Sequence, residues 1–366
     1  MSAPVSMKSL IERNDGRGLG AGAIRSKEDA TMPFCDGARL REAYRRARAE
    51  RFAFMASNIV EPNILIGLLT AYAEVRSDLL VQISAGAAKF AGGGSKRAGI
   101  RGLCAMVREL AEPYPICVFI NLDHFTVGEM DLIKEAIDDR LVSSIMIDAS
   151  NEEFEENVRV SRAVAEAAKG TGILIEAELG KIKGVEDEIS SDEALYTNPD
   201  EAVEFVERTG ADLLAISVGT QHGVSKGREL ELRVDLAAKI RDRLAGSGLD
   251  VPLVLHGTSG LLPEQVREMI GYGICKLNKD THYQYVYGRT ACEFFAAHAE
   301  GILPPAGVKD DALNLFAKSD WSPDKKVFDP RAVGTEIRAK VRDVALVLIE
   351  QAGSAGRTLR KQEEDQ

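Results

Sequence analysis

The stretch SSIMIDASNEEFEENVRVSRAVAEAAKGTGILIEAELG, residues 143–180, reads as strand, helix, strand. Ser144–Asp148 is a short, continuous apolar run that ends in an acid. The segment 151–170 then places apolar residues at 154, 158, 160, 164, 165 and 168, the spacing of one helix face, and Gly170 supplies a stop. Ile173–Leu179 is a second, mainly apolar run, interrupted by Glu176 and Glu178. Mainly apolar runs, joined by an amphipathic helix, belong to parallel strands covered on both faces.

The same rhythm recurs outward from this unit. Further apolar runs stand at Phe52–Ala56, Leu79–Ser84, Cys117–Leu122, Asp212–Val218, Pro252–His256 and Ile274–Asn278, making eight in all, most of them separated by stretches with helical spacing. Eight such units over about 250 residues predict an α/β fold of the (β/α)8 TIM-barrel kind rather than an open doubly wound sheet. No G-x-G-x-x-G follows the first run, which counts against a dinucleotide-binding fold. The expected organisation is an N-terminal arm and helix over 1–50, with the helix at 37–50, and a catalytic barrel over 51–300. A C-terminal loop and helix over 301–366 would pack on the barrel as part of the same domain, ending in a frayed polar tail from 356. The glycines of 91–95 (AGGGS) follow a helix-like stretch and are weak evidence for a phosphate loop.

Composition narrows the function classes. The 366 residues are 45% hydrophobic and carry a net charge of −11. That is enough for a large core, and too acidic for non-specific nucleic-acid binding. The first residues lack an apolar signal core, and no run of apolar residues is long enough to span a bilayer. The five cysteines include no C-x-x-C pair, so they read as reduced, mostly buried thiols of a soluble cytoplasmic protein without membrane or nucleic-acid partners.

Catalytic groups of a (β/α)8 barrel sit where strands end. Three of the five histidines, His124, His222 and His256, fall at such ends, and three histidines plus an open position suit a catalytic zinc. His282 and His298 follow the last strand and read as structural or surface residues. Asp123 adjoins His124. It suits either proton transfer to a reacting oxygen or a hydrogen bond to a metal ligand. Gly223, Gly257, Ser259, Asn278 and Thr281 put small residues and donors at the ends of strands 6 to 8, where barrel enzymes cradle phosphate, although ordinary turn glycines would look the same. The long loop after strand 5 carries Glu186, Asp187 and Glu188 and suits a lid, but its charges alone single out none of them.

The ordered motifs L-D-H (122–124), S-I-M-I-D-A-S (144–150), I-E-A-E-L-G (175–180), G-V-E-D (184–187), V-G-T-Q-H-G-V (218–224), L-V-L-H-G-T-S-G (253–260) and K-L-N-K-D-T (276–281) resemble the class II fructose-bisphosphate aldolases and their tagatose-bisphosphate relatives. The resemblance covers roughly Phe52 to Leu348. It implies a reversible, zinc-dependent cleavage of a ketose bisphosphate, foremost fructose 1,6-bisphosphate to dihydroxyacetone phosphate and glyceraldehyde 3-phosphate, with zinc stabilising the enediolate. It assigns His124, His222 and His256 to zinc, and Glu178 to an alternative inner metal position. Asp123 would exchange a proton with the aldehyde oxygen, and Glu186 would take the proton from the bound triose. Gly223, Gly257, Ser259 and Thr281 would hold phosphate, Asn278 the triose, and Asn58, Gln82 and Ser84 other parts of the substrate. A monovalent cation, K+ or Na+, near the phosphate is implied as well. Lys276 would take no covalent part.

The segment 325–331 (KKVFDPR) resembles the stretch whose arginine, here Arg331, reaches a neighbouring subunit's site and holds the second phosphate, implying a homodimer or higher homo-oligomer. Asn121 stands where the family usually has histidine, Lys279 where it usually has an apolar residue, and Ala85, Ala87 and Lys89 depart from the glycine-rich stretch of the glucose-pathway enzymes. These changes leave tagatose 1,6-bisphosphate or another phosphorylated ketose as alternative substrates. A metal-dependent barrel hydrolase would place H-x-H on strand 1, and no histidine precedes 124. A non-catalytic barrel of the same descent would lack Asp123, Glu186 or a ligand, and none is missing.

Overall fold

The computed structural model describes residues 34–182, 196–223, 232–308 and 321–360, and the backbone of 184–186 and 189–191. Its strands are β1 (Phe54–Asn58), β2 (Leu79–Ser84), β3 (Val118–Thr126), β4 (Ser144–Asp148), β5 (Leu174–Leu179), β6 (Gly184–Glu186), β7 (Ile189–Ser191), β8 (Leu213–Ile216), β9 (Leu253–Leu255) and β10 (Ile274–Lys279). Eight of them close in the order β1-β10-β9-β8-β5-β4-β3-β2, every neighbouring pair parallel. This is the (β/α)8 barrel that the sequence predicts. The pair β6 and β7 forms a separate antiparallel ribbon in the loop after β5.

The barrel interior is layered. Phe54, Leu80, Phe119, Leu174, Leu213 and Val254 belong to one apolar cluster at the strand starts. The helix Gly37–Glu50 joins that cluster through Leu40, Ala43, Tyr44 and Ala47, at i, i+3, i+4 and i+7, and so plugs the N-terminal mouth. Asp36 caps this helix by accepting from the Arg39 N–H at 3.0 Å. Higher up, the inward positions turn polar: Gln82 pairs in register with Asn121, and Asn121 with Ser144.

The helix Pro330–Ala352 lies against the helix Pro62–Glu74. Close approach requires Gly67, because a Cβ there would stand 2.8 Å from the Arg338 carbonyl oxygen. Beyond the helix, the polar tail does not fray as expected, at least through residue 360. Asp78, buried beside the start of β2, accepts from the N–H groups of Cys117 (2.9 Å) and Leu359 (2.8 Å) and from the Thr358 hydroxyl. Arg39 Nη2 also donates to the Leu359 carbonyl at 3.1 Å. Burial raises the Asp78 carboxyl above its ordinary range, and these donors offset part of that. No helix of the described residues is long and apolar enough to cross a membrane.

Asp78→Ala should leave two buried N–H groups without an acceptor and cost about 2–4 kcal/mol of stability. The tail should become an early site of proteolysis while the barrel stays folded. Unchanged thermal stability and an unchanged cleavage pattern would refute this anchoring.

Candidate active site

The C-terminal mouth is built first by an irregularity in β3. Leu122 pairs with Ile145 and Phe125 with Ile147, so three steps on β3 match two on β4. The extra residue bulges the strand, and His124 takes φ of 51°, a left-handed conformation that costs a side-chain-bearing residue about 1 kcal/mol. Strict alternation would send Asp123 inward and His124 outward. The bulge turns both toward the mouth.

His222 arrives on the loop after β8 and His256 directly after β9. Gly257 follows with φ of 61°, and a Cβ there would lie 2.6 Å from the Gln221 backbone. Only glycine lets these two loops meet. The ring centroids of His124 and His256 are 4.5 Å apart, those of His124 and His222 5.3 Å, and those of His222 and His256 6.2 Å.

Each of two rings is oriented from behind. His124 Nδ1 meets Asp148 Oδ2 at 3.0 Å, and Asp148 Oδ1 accepts from the Ser150 hydroxyl and N–H. His256 Nε2 meets Glu176 Oε1 at 3.0 Å, and both oxygens of Glu176 accept from Lys276 Nζ, at 3.0 and 2.8 Å. The opposite nitrogens, His124 Nε2 and His256 Nδ1, are thereby aimed at each other across 2.6 Å. Glu178 Oε2, buried and without a hydrogen-bond partner, lies 3.9 Å from His256 Nδ1. His124, Glu178 and His256 offer ligand atoms all within 4.8 Å of one another.

Such a set needs a cation or protons at its centre. Burial works against charge on His124, but Asp123, Asp148 and Glu178 outweigh it and raise its pKa to about 9. Asp148 is lowered despite its burial, chiefly through its bond to His124. Burial, and then the charge on His124, lower His222 to about 3 and push His256 well below the ordinary range. Burial also drives Glu178 well above the carboxylate range. Two imidazole nitrogens facing at hydrogen-bond distance beside an orphaned carboxylate oxygen are donors that suit zinc, whose binding displaces such protons.

Asp123 stands beside this centre, 1% exposed, with Oδ1 accepting from Asn278 Nδ2 at 3.0 Å and Oδ2 from Asn58 Nδ2 at 2.9 Å. The carbonyl oxygens of both amides, and both amide atoms of Gln82, are buried without partners. Ser84 uses its hydroxyl to accept from Ala87 N at 3.1 Å, capping the helix Ala85–Ala91. Gly223 lies on the loop after β8, Ser259 in the turn Thr258–Gly260 after β9, and Thr281 opens the helix that follows β10. Glu186 ends β6, and its side chain lies outside the described residues, as do those of Asp187 and Glu188. Arg331 is not brought to this cluster. Its side chain is 85% exposed and pairs with Asp329, the cap of its own helix. His298 is exposed and meets the Phe294 carbonyl oxygen at 2.8 Å.

Sequence reasoning marks Asp148 and Glu176 as ionisable groups near strand ends but gives them no role, and Glu176 lies inside β5. Nothing in the sequence says which acid faces the nitrogen on the far side of a histidine.

A closed parallel barrel with histidines and acids gathered at its C-terminal mouth defines a (β/α)8 enzyme scaffold with a candidate metal centre. Residues 38–357 match the family model described as fructose-bisphosphate aldolase class-II. The chain is 32% identical over 345 residues to the fructose-bisphosphate aldolase of Thermus caldophilus, covering 86% of this chain and 98% of that one. It is 33% identical over 320 residues to the fructose-bisphosphate aldolase of Geobacillus stearothermophilus, covering 87% and 97%. The crystal structure of fructose-bisphosphate aldolase from Campylobacter jejuni superposes with a TM-score of 0.76 at 25% identity, covering 90% of this chain and 99% of that one. The chain belongs to the class II fructose-bisphosphate aldolase family, and it is a lyase of that class.

Asp148→Asn should weaken metal binding at this centre about 10- to 100-fold, because the charge that orients His124 is lost. Competition against a chromophoric chelator measures this. Unaltered affinity would mean that His124 is positioned without Asp148.

Proposed function

We propose that this chain is a zinc-dependent aldolase that reversibly cleaves fructose 1,6-bisphosphate into dihydroxyacetone phosphate and glyceraldehyde 3-phosphate. The convergence of His124 Nε2, His256 Nδ1 and Glu178 Oε2 carries the reading. His124, His222 and His256 would hold the zinc, with Glu178 as a fourth or alternative ligand. When bound, zinc supplies a Lewis acid that draws charge from the ketose oxygens.

The protein's own groups do the rest. Asp123 exchanges a proton with the oxygen that becomes the aldehyde, and the amides of Asn58 and Asn278 hold its carboxylate in place. The partnerless oxygens of Asn58 and Asn278 and the Gln82 amide suit substrate hydroxyls, which would satisfy groups otherwise buried at a cost. Ser84 borders them. Glu186, on the ribbon after β5, is the base for the triose proton. Gly223, Gly257, Ser259 and Thr281 take the triose phosphate, with a monovalent cation nearby. Lys276 is committed to Glu176 by two hydrogen bonds and serves as structural charge rather than as a nucleophile.

Arg331, exposed on the monomer, fits a role across the interface of a homodimer, holding the second phosphate of the neighbouring site. Five free thiols suit a reducing, cytoplasmic setting. The buried Asn121, whose Oδ1 accepts from Ser144 while its Nδ2 has no partner, leaves a second ketose such as tagatose 1,6-bisphosphate open as the substrate.

The test is cleavage of fructose 1,6-bisphosphate, coupled to triose-phosphate detection, with and without a chelator. Cleavage should vanish with the chelator and return with zinc. A zinc-loaded protein inactive on this sugar would refute the substrate. Arg331→Ala should raise KM for bisphosphates about tenfold while leaving monophosphates almost unaffected. Equal effects on both would remove the second-phosphate role.

A further inference from the structure

β10 ends on a lysine that the chemistry above does not use. Lys279 is 2% exposed, and its Nζ donates to the Thr258 carbonyl oxygen at 2.7 Å. That acceptor is neutral, and among the described residues no carboxylate is paired with this ammonium. Lys276, three residues earlier and equally buried, shows the contrast: it has both oxygens of Glu176. Burial alone lowers Lys279 to about 8, the response of a cation taken from water without a counter-charge. The adjacent carboxylate, Asp280, accepts from Gln284 Nε2 at 2.7 Å and leaves the first turn of the helix Thr281–Ala297 without a side-chain cap.

The surroundings of Lys279 share its sign. His282 has a buried Nδ1 with no hydrogen-bond partner, and burial and then Lys279 lower the ring below its ordinary value. The N-terminus of a 17-residue helix adds partial positive charge beside both. Thr258 opens the turn Thr258–Gly260, and its hydroxyl donates to the Asn278 carbonyl at 2.6 Å. The turn after β9 and the end of β10 are therefore bound together around the ammonium.

We propose that Lys279 is a substrate-phosphate residue, its ammonium being the fixed counter-charge for the phosphoryl group received by the turns after β9 and β10. This rests on the reading of those turns as the triose-phosphate site. An ammonium has three protons, and one is spent on Thr258, so two remain for an anionic oxygen. Away from water, such a charge-assisted bond is strong and selects phosphorylated over unphosphorylated trioses.

The test uses the zinc-loaded full chain and the variants Lys279→Gln, which keeps a donor for Thr258 but no charge, and Lys279→Arg, which keeps the charge. Inorganic phosphate binding is followed by calorimetry, and kcat and KM are followed for fructose 1,6-bisphosphate. Lys279→Gln should weaken phosphate binding and raise KM, each about tenfold, with kcat falling far less and zinc content unchanged. Lys279→Arg should retain most of both. Unchanged phosphate affinity in a folded Lys279→Gln variant overturns the proposal. If that variant fails to fold, Lys279→Arg decides alone: loss of phosphate affinity equal to the loss of thermal stability assigns Lys279 to structure only. Phosphate binding that depends on Lys279, in a protein that does not cleave the sugar, would uphold this inference and refute the substrate.

Discussion

Charge buried in a dry barrel has to be balanced, and here that constraint organises everything above the apolar floor. Asp123, Asp148, Glu176 and Glu178 all lie at 5% exposure or less inside one mouth. Four carboxylates cannot remain there unless a cation, a proton or hydrogen-bond donors meet each of them. Lys276 answers Glu176 from the centre, and two amides answer Asp123. Asp148 is met by His124, and Glu178 is left to a proton or a metal. The arrangement divides labour by depth. The lower ion pair is permanent and orients a histidine, whereas the upper carboxylate is held for something exchangeable.

Much of the architecture could be read from the chain because each strand is buried on both faces and so spells a continuous apolar word. Leu79–Ser84 and Ser144–Asp148 begin and end where the sequence places them. The first strand is shifted by two residues, from Phe52 to Phe54, for a physical reason. Phe52 and Ala53 are as buried as the strand itself, Phe52 in the cluster formed with the plugging helix, so hydrophobicity does not mark the boundary. The tail docks although its sequence is polar, which composition alone reads as solvated. Its docking uses one distant acid, Asp78, 281 positions before Leu359, together with Arg39 and Arg46 on its carbonyl oxygens.

The candidate site was legible to the extent that chemistry-bearing residue types fall at strand ends. The three histidines are recognisable in that way. Their rings lie near one another, but only His124 and His256 bring ligand atoms together with Glu178. What the sequence hides is orientation. A left-handed residue within L-D-H gives no compositional sign, because histidine has no special tolerance for that conformation comparable to glycine's, and tertiary contacts impose it. For the same reason the acids behind the rings were invisible as partners. Lys279 is the reverse case: its oddity shows in the sequence, but its isolation from any described carboxylate shows only in three dimensions.

The plugging helix has a consequence for how this molecule can be handled. Phe34 bridges to Val118 at the start of β3, and Arg39 and Arg46 reach the carbonyl oxygens of Leu359, Arg357 and Thr358. Both ends of the described chain therefore meet at the closed floor of the barrel, across its full depth from the histidines. A label or tether attached at Phe34 or Arg360 would therefore hold the barrel from the pole opposite its histidines. Chemistry and tethering occupy opposite poles of one cylinder.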